Sequence, residues 1–140
     1  MVNTDIELVP YLQFLGDCEE ALNFYKDILN GQIEIASRYD NPGMNVPEDF
    51  KNKILHARFT FGKYTMFASD VMPKKMNESI LANISMSLGF QDEKAAQDVF
   101  DRLSQGGEIN IPFKKQFWGD WHGNFSDRFG IRWMVNYSEK

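Results

Sequence analysis

The feature that most limits what this chain can fold into is a self-match at a spacing of 75 residues. It lays Asp17 on Asp92, Ala21 on Ala96, Phe24 on Val99, Tyr25 on Phe100, Ile28 on Leu103 and Gly31 on Gly106. Each set has an acidic start, an apolar stripe at helical spacing and a glycine stop, which are the start, face and end signals of an amphipathic helix. Any two capped helices would align this way by themselves. The strand-like segments that flank each helix in matching number favour duplication, so a βαβββ unit used twice is expected.

The strands are read from alternation. Ile6–Leu15 is apolar on both faces and contains Pro10, which cannot donate to a ladder and so belongs at an edge, a bulge or an unpaired position. The helix that follows opens on the box Asp17-Cys-Glu-Glu20 and is ended by Gly31. Gln32–Tyr39 is a second strand, and the Pro/Gly-containing stretch Asp40–Lys51 a loop or lid. Lys53–Phe61 and Tyr64–Ser69 form a hairpin about Gly62-Lys63. After a loop over Asp70–Glu78, Ile84, Met86 and Leu88 alternate with Asn83, Ser85 and Ser87, and Asp92 opens the second helix, closed by Gly106-Gly107. Three strands follow, Ile109–Phe113, Trp118–Phe125 and Ile131–Tyr137; in the last, Ile131, Trp133, Val135 and Tyr137 take one face.

With 140 residues, 43% of them hydrophobic and 14% aromatic, the chain can bury the core of one soluble domain. A net charge of −5 without a basic cluster argues against nucleic acid as partner. No apolar run approaches the roughly 20 residues of a membrane span, so no membrane partner is expected. Cys18 is alone and cannot form an internal disulfide, and no signal peptide is evident, which makes the cytoplasm the default. Asp17, Glu19 and Glu20 oppose ionisation of its thiol, so Cys18 is read as an ordinary residue of the first helical turn.

The duplicated order, together with Val9-Pro-Tyr-Leu12, Glu20-Ala-Leu-Asn-Phe-Tyr25, Phe67-Ala-Ser-Asp70, Phe117-Trp-Gly-Asp120 with Gly123, and Asp127-Arg-Phe-Gly130 with Trp133, resembles the PhnB-like branch of the vicinal oxygen chelate superfamily of glyoxalases, bleomycin resistance proteins and dioxygenases. The resemblance spans nearly the whole chain. It implies an α+β glyoxalase-like domain over residues 1–140, with module one about 1–78 and module two about 79–140. In it the eight strands form an incomplete barrel around a cavity, and a homodimer is common. A demethylubiquinone methyltransferase label attached to this branch finds no support in the residues, because neither helix is entered through the Gly-rich turn that a nucleotide-type methyl donor usually wants.

The superfamily's metal enzymes hold one divalent ion with His or Glu from the first and last strands of each module. Here those positions fall near Pro10, on Asn83 or Ser85, and near Met66 and Met134. None is a usual ligand for a hard divalent ion. No metal and no cofactor are therefore expected. His56 and His122 are the only histidines and lack a matched carboxylate; they remain the candidate catalytic residues.

If the apolar faces pack on the helices, His56, Arg58, Thr60, Met66, Ala68, Asn83, Ser85, Ser87, Arg132, Met134 and Asn136 point into the cavity. Arg58 and Arg132 can grip a carboxylate or phosphonate; the alternative is pairing with Asp70 or Asp127. Trp118 and Trp121 offer aromatic surface to a ligand, though rings in such a segment are more often core or dimer contact. His122 has no evident partner in the sequence. The expectation is a small-molecule binding protein with a degenerate metal site. The alternatives are a metal-independent lyase- or isomerase-type enzyme using His56, Arg58 or His122, and a dimeric structural or interaction protein.

Overall fold

The computed structural model describes residues 8–72 and 84–139. Ile6, Glu7, Asn83 and most of the loop expected over Asp70–Glu78 lie outside the described residues. The chain divides into two compact units, Met1–Lys75 and Met76–Lys140. Module one runs β1 (Tyr11–Phe14), α1 (Cys18–Leu29), β2 (Gln32–Arg38), a 3-10 turn (Glu48–Phe50), β3 (Ile54–Phe61) and β4 (Tyr64–Asp70). Module two runs β5 (Met86–Phe90), α2 (Glu93–Leu103), β6 (Glu108–Lys115), β7 (Trp121–Ser126) and β8 (Arg132–Tyr137).

The two sheets have the same topology, β1-β4-β3-β2 and β5-β8-β7-β6. In each, the first strand lies parallel to the last and every other pairing is antiparallel. The chain is thus an α+β protein of two βαβββ modules. Several strands are shorter or shifted from their expected bounds: β1 begins only after Pro10, at the edge of its sheet, and Trp118 precedes β7 instead of opening it.

Each helix packs one face of its own sheet through an aromatic pair. The Tyr25 and Phe59 rings meet edge-on at 6.3 Å in module one, and Phe100 meets Phe125 edge-on at 5.1 Å in module two. Around them Leu22, Ala57, Leu103, Trp133 and Val135 are buried; burial of each large apolar side chain contributes about 1.5–3 kcal/mol. Met66 belongs to this face as well. Across the Gly62-Lys63 turn the register opposes Phe59 to Met66 and Arg58 to Phe67, and directly opposed residues share a face. Met66, 4% exposed, and Ala68 are therefore core, contrary to the expectation from simple alternation, and Phe67 takes the open face beside Arg58.

Two buried carboxylates fasten the strand ends. Asp17 makes no side-chain cap at the start of α1; instead Asp70, at the end of β4, accepts from the Gly16 and Cys18 amides with Oδ1 (3.0 and 2.9 Å) and from Ile54 N–H with Oδ2 (2.9 Å). In module two Asp92 caps α2 as expected, accepting from Ala95 N–H at 2.8 Å. Asp127 organises the β7–β8 turn, where Oδ1 accepts from the Phe129 and Ile131 amides and Oδ2 from the Trp133 indole at 2.8 Å. Cys18 is fully buried, and burial first, then the charges of Asp70, Asp17 and Glu19, push its thiol far above the usual range. Its thiolate is accordingly suppressed.

The glycine stops slip by one residue relative to the helices. Asn30, not Gly31, adopts the left-handed conformation after α1 (φ 55°), and Gly106 (φ 82°) is its counterpart after α2. Gly31 lies so close to the Phe59 ring and the Thr60 carbonyl that a Cβ would collide, and Gly107 lies in the same way against the Ser126 carbonyl. The structural equivalent of Gly31 is thus Gly107. The Asp40–Lys51 loop is closed onto module one: Tyr39 N–H donates to Lys53 O, its ring meets Phe50 at 4.9 Å, and its hydroxyl donates to Asp70 O. Among the described residues, no helix is long and apolar enough to cross a membrane.

Candidate functional site

The shared topology lets the open faces of the two sheets be compared position by position. With Phe59 equivalent to Phe125, the register makes Ala57 equivalent to Gly123, Arg58 to Asn124, and His56 to His122. Phe67 corresponds to Met134 and Tyr11 to Ser87 through the parallel pairs. Both histidines of the chain therefore stand at one structural position, on the third strand of each module and on the face away from the helix.

In module one that face is aromatic and cationic. The Tyr11 hydroxyl lies 3.0 Å from His56 Nδ1, and the His56 and Phe67 rings meet edge-on at 5.0 Å. Arg58 lies over the Phe67 ring at 5.6 Å with its Nε 4.0 Å from Glu34. Its side chain is 53% exposed, and a pair this open contributes little to stability. Glu34, across β2–β3, occupies the place in which the sequence suggested Asp70.

In module two the same face carries a continuous polar chain. Asn136 Nδ2 donates to Ser87 Oγ (3.0 Å), Asn136 Oδ1 lies 2.6 Å from His122 Nδ1, and Asn124 Nδ2 lies 3.1 Å from His122 Nε2. An amide oxygen accepts and an amide nitrogen donates, so Nδ1 faces an acceptor and Nε2 a donor, the arrangement that the Nδ1–H tautomer matches. His122, which has no visible partner in the linear sequence, thus has two. The register of β7 on β8, set by the Asp127 turn, opposes His122 to Asn136 and Asn124 to Met134.

A cleft of about 410 Å³ opens beside this chain, lined by Gly89, Phe90, Gln91, Trp118, Asp120, Asn136, Tyr137 and Ser138. Trp118, 54% exposed, forms part of its wall with its ring 6.3 Å from that of His122. The turn that carries Trp118 is held by Gln116, whose side-chain amide donates to Lys114 O and His122 O. Ser138 Oγ donates to Asp120 Oδ1 at 2.9 Å. Glu139 accepts from the Trp121 indole at 3.0 Å and pairs with Lys115 at 3.2 Å, and these two partners hold its carboxyl below the usual range.

The residues singled out from sequence are thus dispersed. Trp118 lines the cleft; Trp121 does not, being tied to Glu139 and packed on Phe113 at 5.5 Å. Arg132 and Met134 share the open face with Asn136 but stand outside the lining, and Ser85 lies just ahead of β5. Met66 is core, Arg58 and His56 belong to module one, and Asn83 is not described. Asn124, Asp120 and Tyr137 were missed. Pairing residues across the Asp127 turn would have found Asn124 and Tyr137; Asp120 needed the fold.

A divalent metal does not fit these residues. Both His122 nitrogens are met by amides, Met134 and Phe67 occupy the open face of the last strands, and among the described residues no three His, Cys, Asp or Glu side chains are gathered to hold an ion. The donor set lacks what hard or borderline ions need.

The chain matches, over residues 6–136, the model of the family described as 3-demethylubiquinone-9 3-methyltransferase. The solved structure of protein PA1353 from Pseudomonas aeruginosa is 34% identical, covering 97% of this chain and 100% of that one, with a TM-score of 0.82. The PhnB protein from Bacillus cereus is 25% identical with a TM-score of 0.79, covering 95% of this chain and 100% of that one. A glyoxylase/bleomycin resistance protein/dioxygenase domain from Frankia sp. EAN1pec, 13% identical over 98% of this chain and 100% of its own, has the same fold at a TM-score of 0.68.

Proposed function

We propose that this chain, which belongs to the family described as 3-demethylubiquinone-9 3-methyltransferase, is a small-molecule binding protein of the PhnB-like branch of the vicinal oxygen chelate superfamily, with a site built without a metal. The observation that carries this reading is the chain Ser87–Asn136–His122–Asn124 beside the cleft in module two. Its groups satisfy one another, and Asn136 also contributes to the cleft wall. Sites of this kind combine aromatic walls with a few convergent polar groups, in volumes of roughly 300–1,000 Å³. Methyl transfer is not part of the proposal: α1 is entered through Leu15-Gly16-Asp17 and α2 through Gln91-Asp92, neither of them Gly-rich.

The proposal includes a homodimer, as the resemblance implies, and a cytoplasmic setting that keeps the single buried thiol reduced. A second reading rests on His122 itself. With Nδ1–H directed at Asn136, Nε2 is the basic nitrogen, and a substrate that displaced the Asn124 amide would meet a fixed base, as a metal-independent lyase or isomerase requires. Native mass spectrometry of protein purified from its host tests both. We expect a retained organic molecule that is lost in Asn136→Leu and kept in His56→Phe. Stoichiometric divalent metal that disappears with His122 would overturn the metal-free site, and chemical turnover of the retained molecule that stops in His122→Phe would favour the enzyme.

A further inference from the structure

We infer that the cleft in module two takes an organic cation, an alkylated ammonium group carried on a small molecule, an inference that rests on the small-molecule reading above and adds to it the charge class of the ligand. Three of the eight lining residues, Phe90, Trp118 and Tyr137, present aromatic rings, and Asp120 is the single charged residue among them. Neither Lys nor Arg lines it. Lys115, paired with Glu139 at 3.2 Å, and Lys114, opposite His122 on β6, both stand outside the lining.

The polar groups of the wall point the same way. Asp120 Oδ1 accepts from Ser138, and Asp120 Oδ2 makes no hydrogen bond among the described residues. The Asn136 amide is engaged by Ser87 and His122. An anion in this cleft would meet the exposed Asp120 carboxylate with no cationic residue in the lining, and the like charges would repel. A cation would meet a carboxylate within a lining in which three of the eight residues are aromatic, a composition that suits quaternary and methylated ammonium groups. The net charge of −5 draws cations toward the protein at low salt. The anion that Arg58 or Arg132 suggests from sequence has no counterpart here, because neither guanidinium lines the cleft.

The test is a calorimetric and fluorescence titration of the full chain with choline and benzyltrimethylammonium, with 3,3-dimethylbutan-1-ol as the neutral isostere of choline and benzoate as the anion. We expect the two cations to bind and quench Trp118, and the alcohol and benzoate to bind at least about tenfold more weakly. Asp120→Asn keeps an acceptor for Ser138, and it and Trp118→Leu should each weaken the cations by roughly three- to thirtyfold. Asp98→Asn, on the exposed side of α2, removes the same charge elsewhere and should change nothing. Equal or tighter binding of the alcohol or benzoate overturns the inference, as does equal weakening by Asp98→Asn. Absence of cation binding in protein that still retains a host molecule dependent on Asn136 overturns the cation alone and leaves the binding reading standing. Absence of both removes the two together.

Discussion

His56 and His122 occupy one position of a duplicated module and have almost nothing else in common. His56 sits among Tyr11, Phe67 and Arg58, whereas His122 sits among Ser87, Met134 and Asn124, residue for residue the equivalents of those three. The faces that meet the helices differ far less: Tyr25 on Phe59 answers to Phe100 on Phe125. The lesson is that the module needs its helix-facing layer and its strand-end fasteners, while the open face is free to become an aromatic patch in one copy and an amide network in the other. Chemistry therefore follows the neighbours of a histidine more than its place in the fold.

The deepest cut into the comparison is at the fasteners. Asp70→Ala leaves the Gly16, Cys18 and Ile54 amides without their acceptor, and Asp127→Ala does the same to Phe129, Ile131 and the Trp133 indole. Each substitution is expected to cost about 4 kcal/mol or more, since hydrogen bonds to a buried charge contribute roughly 1.5–3 kcal/mol apiece. Urea unfolding measures it. A loss under one unit of that scale in either variant would mean that water replaces the carboxylate and that the two modules are not fastened alike.

The next largest effect separates the modules where they should match. Ala57 and Gly123 are equivalent, but a Cβ on Gly123 would lie 2.7 Å from both Phe100 Cε2 and the Phe113 Cα. Gly123→Ala should destabilise by about 2–3 kcal/mol through overpacking, while Ala57→Gly should cost only about 1 kcal/mol through lost contact and added chain freedom. If both prove neutral, the aromatic layers are more plastic than their rings suggest.

A smaller, sharper contrast lies in the imidazoles. Nitrogen NMR of the ligand-free protein at neutral pH should find His122 with its proton on Nδ1, and Asn136→Leu should release that preference and cost about 1 kcal/mol, a typical net value for one hydrogen bond. His56→Phe should leave the His122 signals where they are. Movement of both would tie the two faces together.

The smallest effect is an acid dependence of the same sign in both modules. The Trp121 indole first, then Lys115, depresses the Glu139 carboxyl; Arg38, bound bidentately at 3.0 Å through both guanidinium nitrogens, depresses Glu19. A depressed carboxyl contributes stability that is complete above the unfolded value, about 4.3, and is lost as pH falls through the lower folded value. Glu139→Gln should therefore flatten the acid limb of the Trp121 indole signal without altering the signals of module one. An unchanged limb would assign it to another carboxyl.

The architecture was legible in the sequence because its signals are local: Asp92 before a helical stripe, Gly62-Lys63 between two alternating runs, and a second copy of the same order. What escaped depends on pairing. Alternation alone puts Met66 on the open face, whereas the register across the turn opposes it to Phe59 and the core. Asp17 stands where a cap of α1 is expected, and nothing local reveals that Asp70, 52 residues beyond Cys18, supplies it. The candidate site was half visible. His122, Trp118 and Asn136 stood out by residue type or face, but the bonds that join His122 to its amides cross strands, and the cleft closes on Asp120 and Ser138, which have no periodicity to betray them.

The burial of Cys18 gives the molecule a built-in pair of reporters. The only thiol of the chain lies in module one, sealed at the start of α1, and all three tryptophans, Trp118, Trp121 and Trp133, lie in module two. A thiol reagent added during denaturation therefore counts the opening of the first module, while indole emission follows the second, with no label engineered into either. Coincident transitions would make the duplicated chain one cooperative unit, and separated ones would give each copy its own stability.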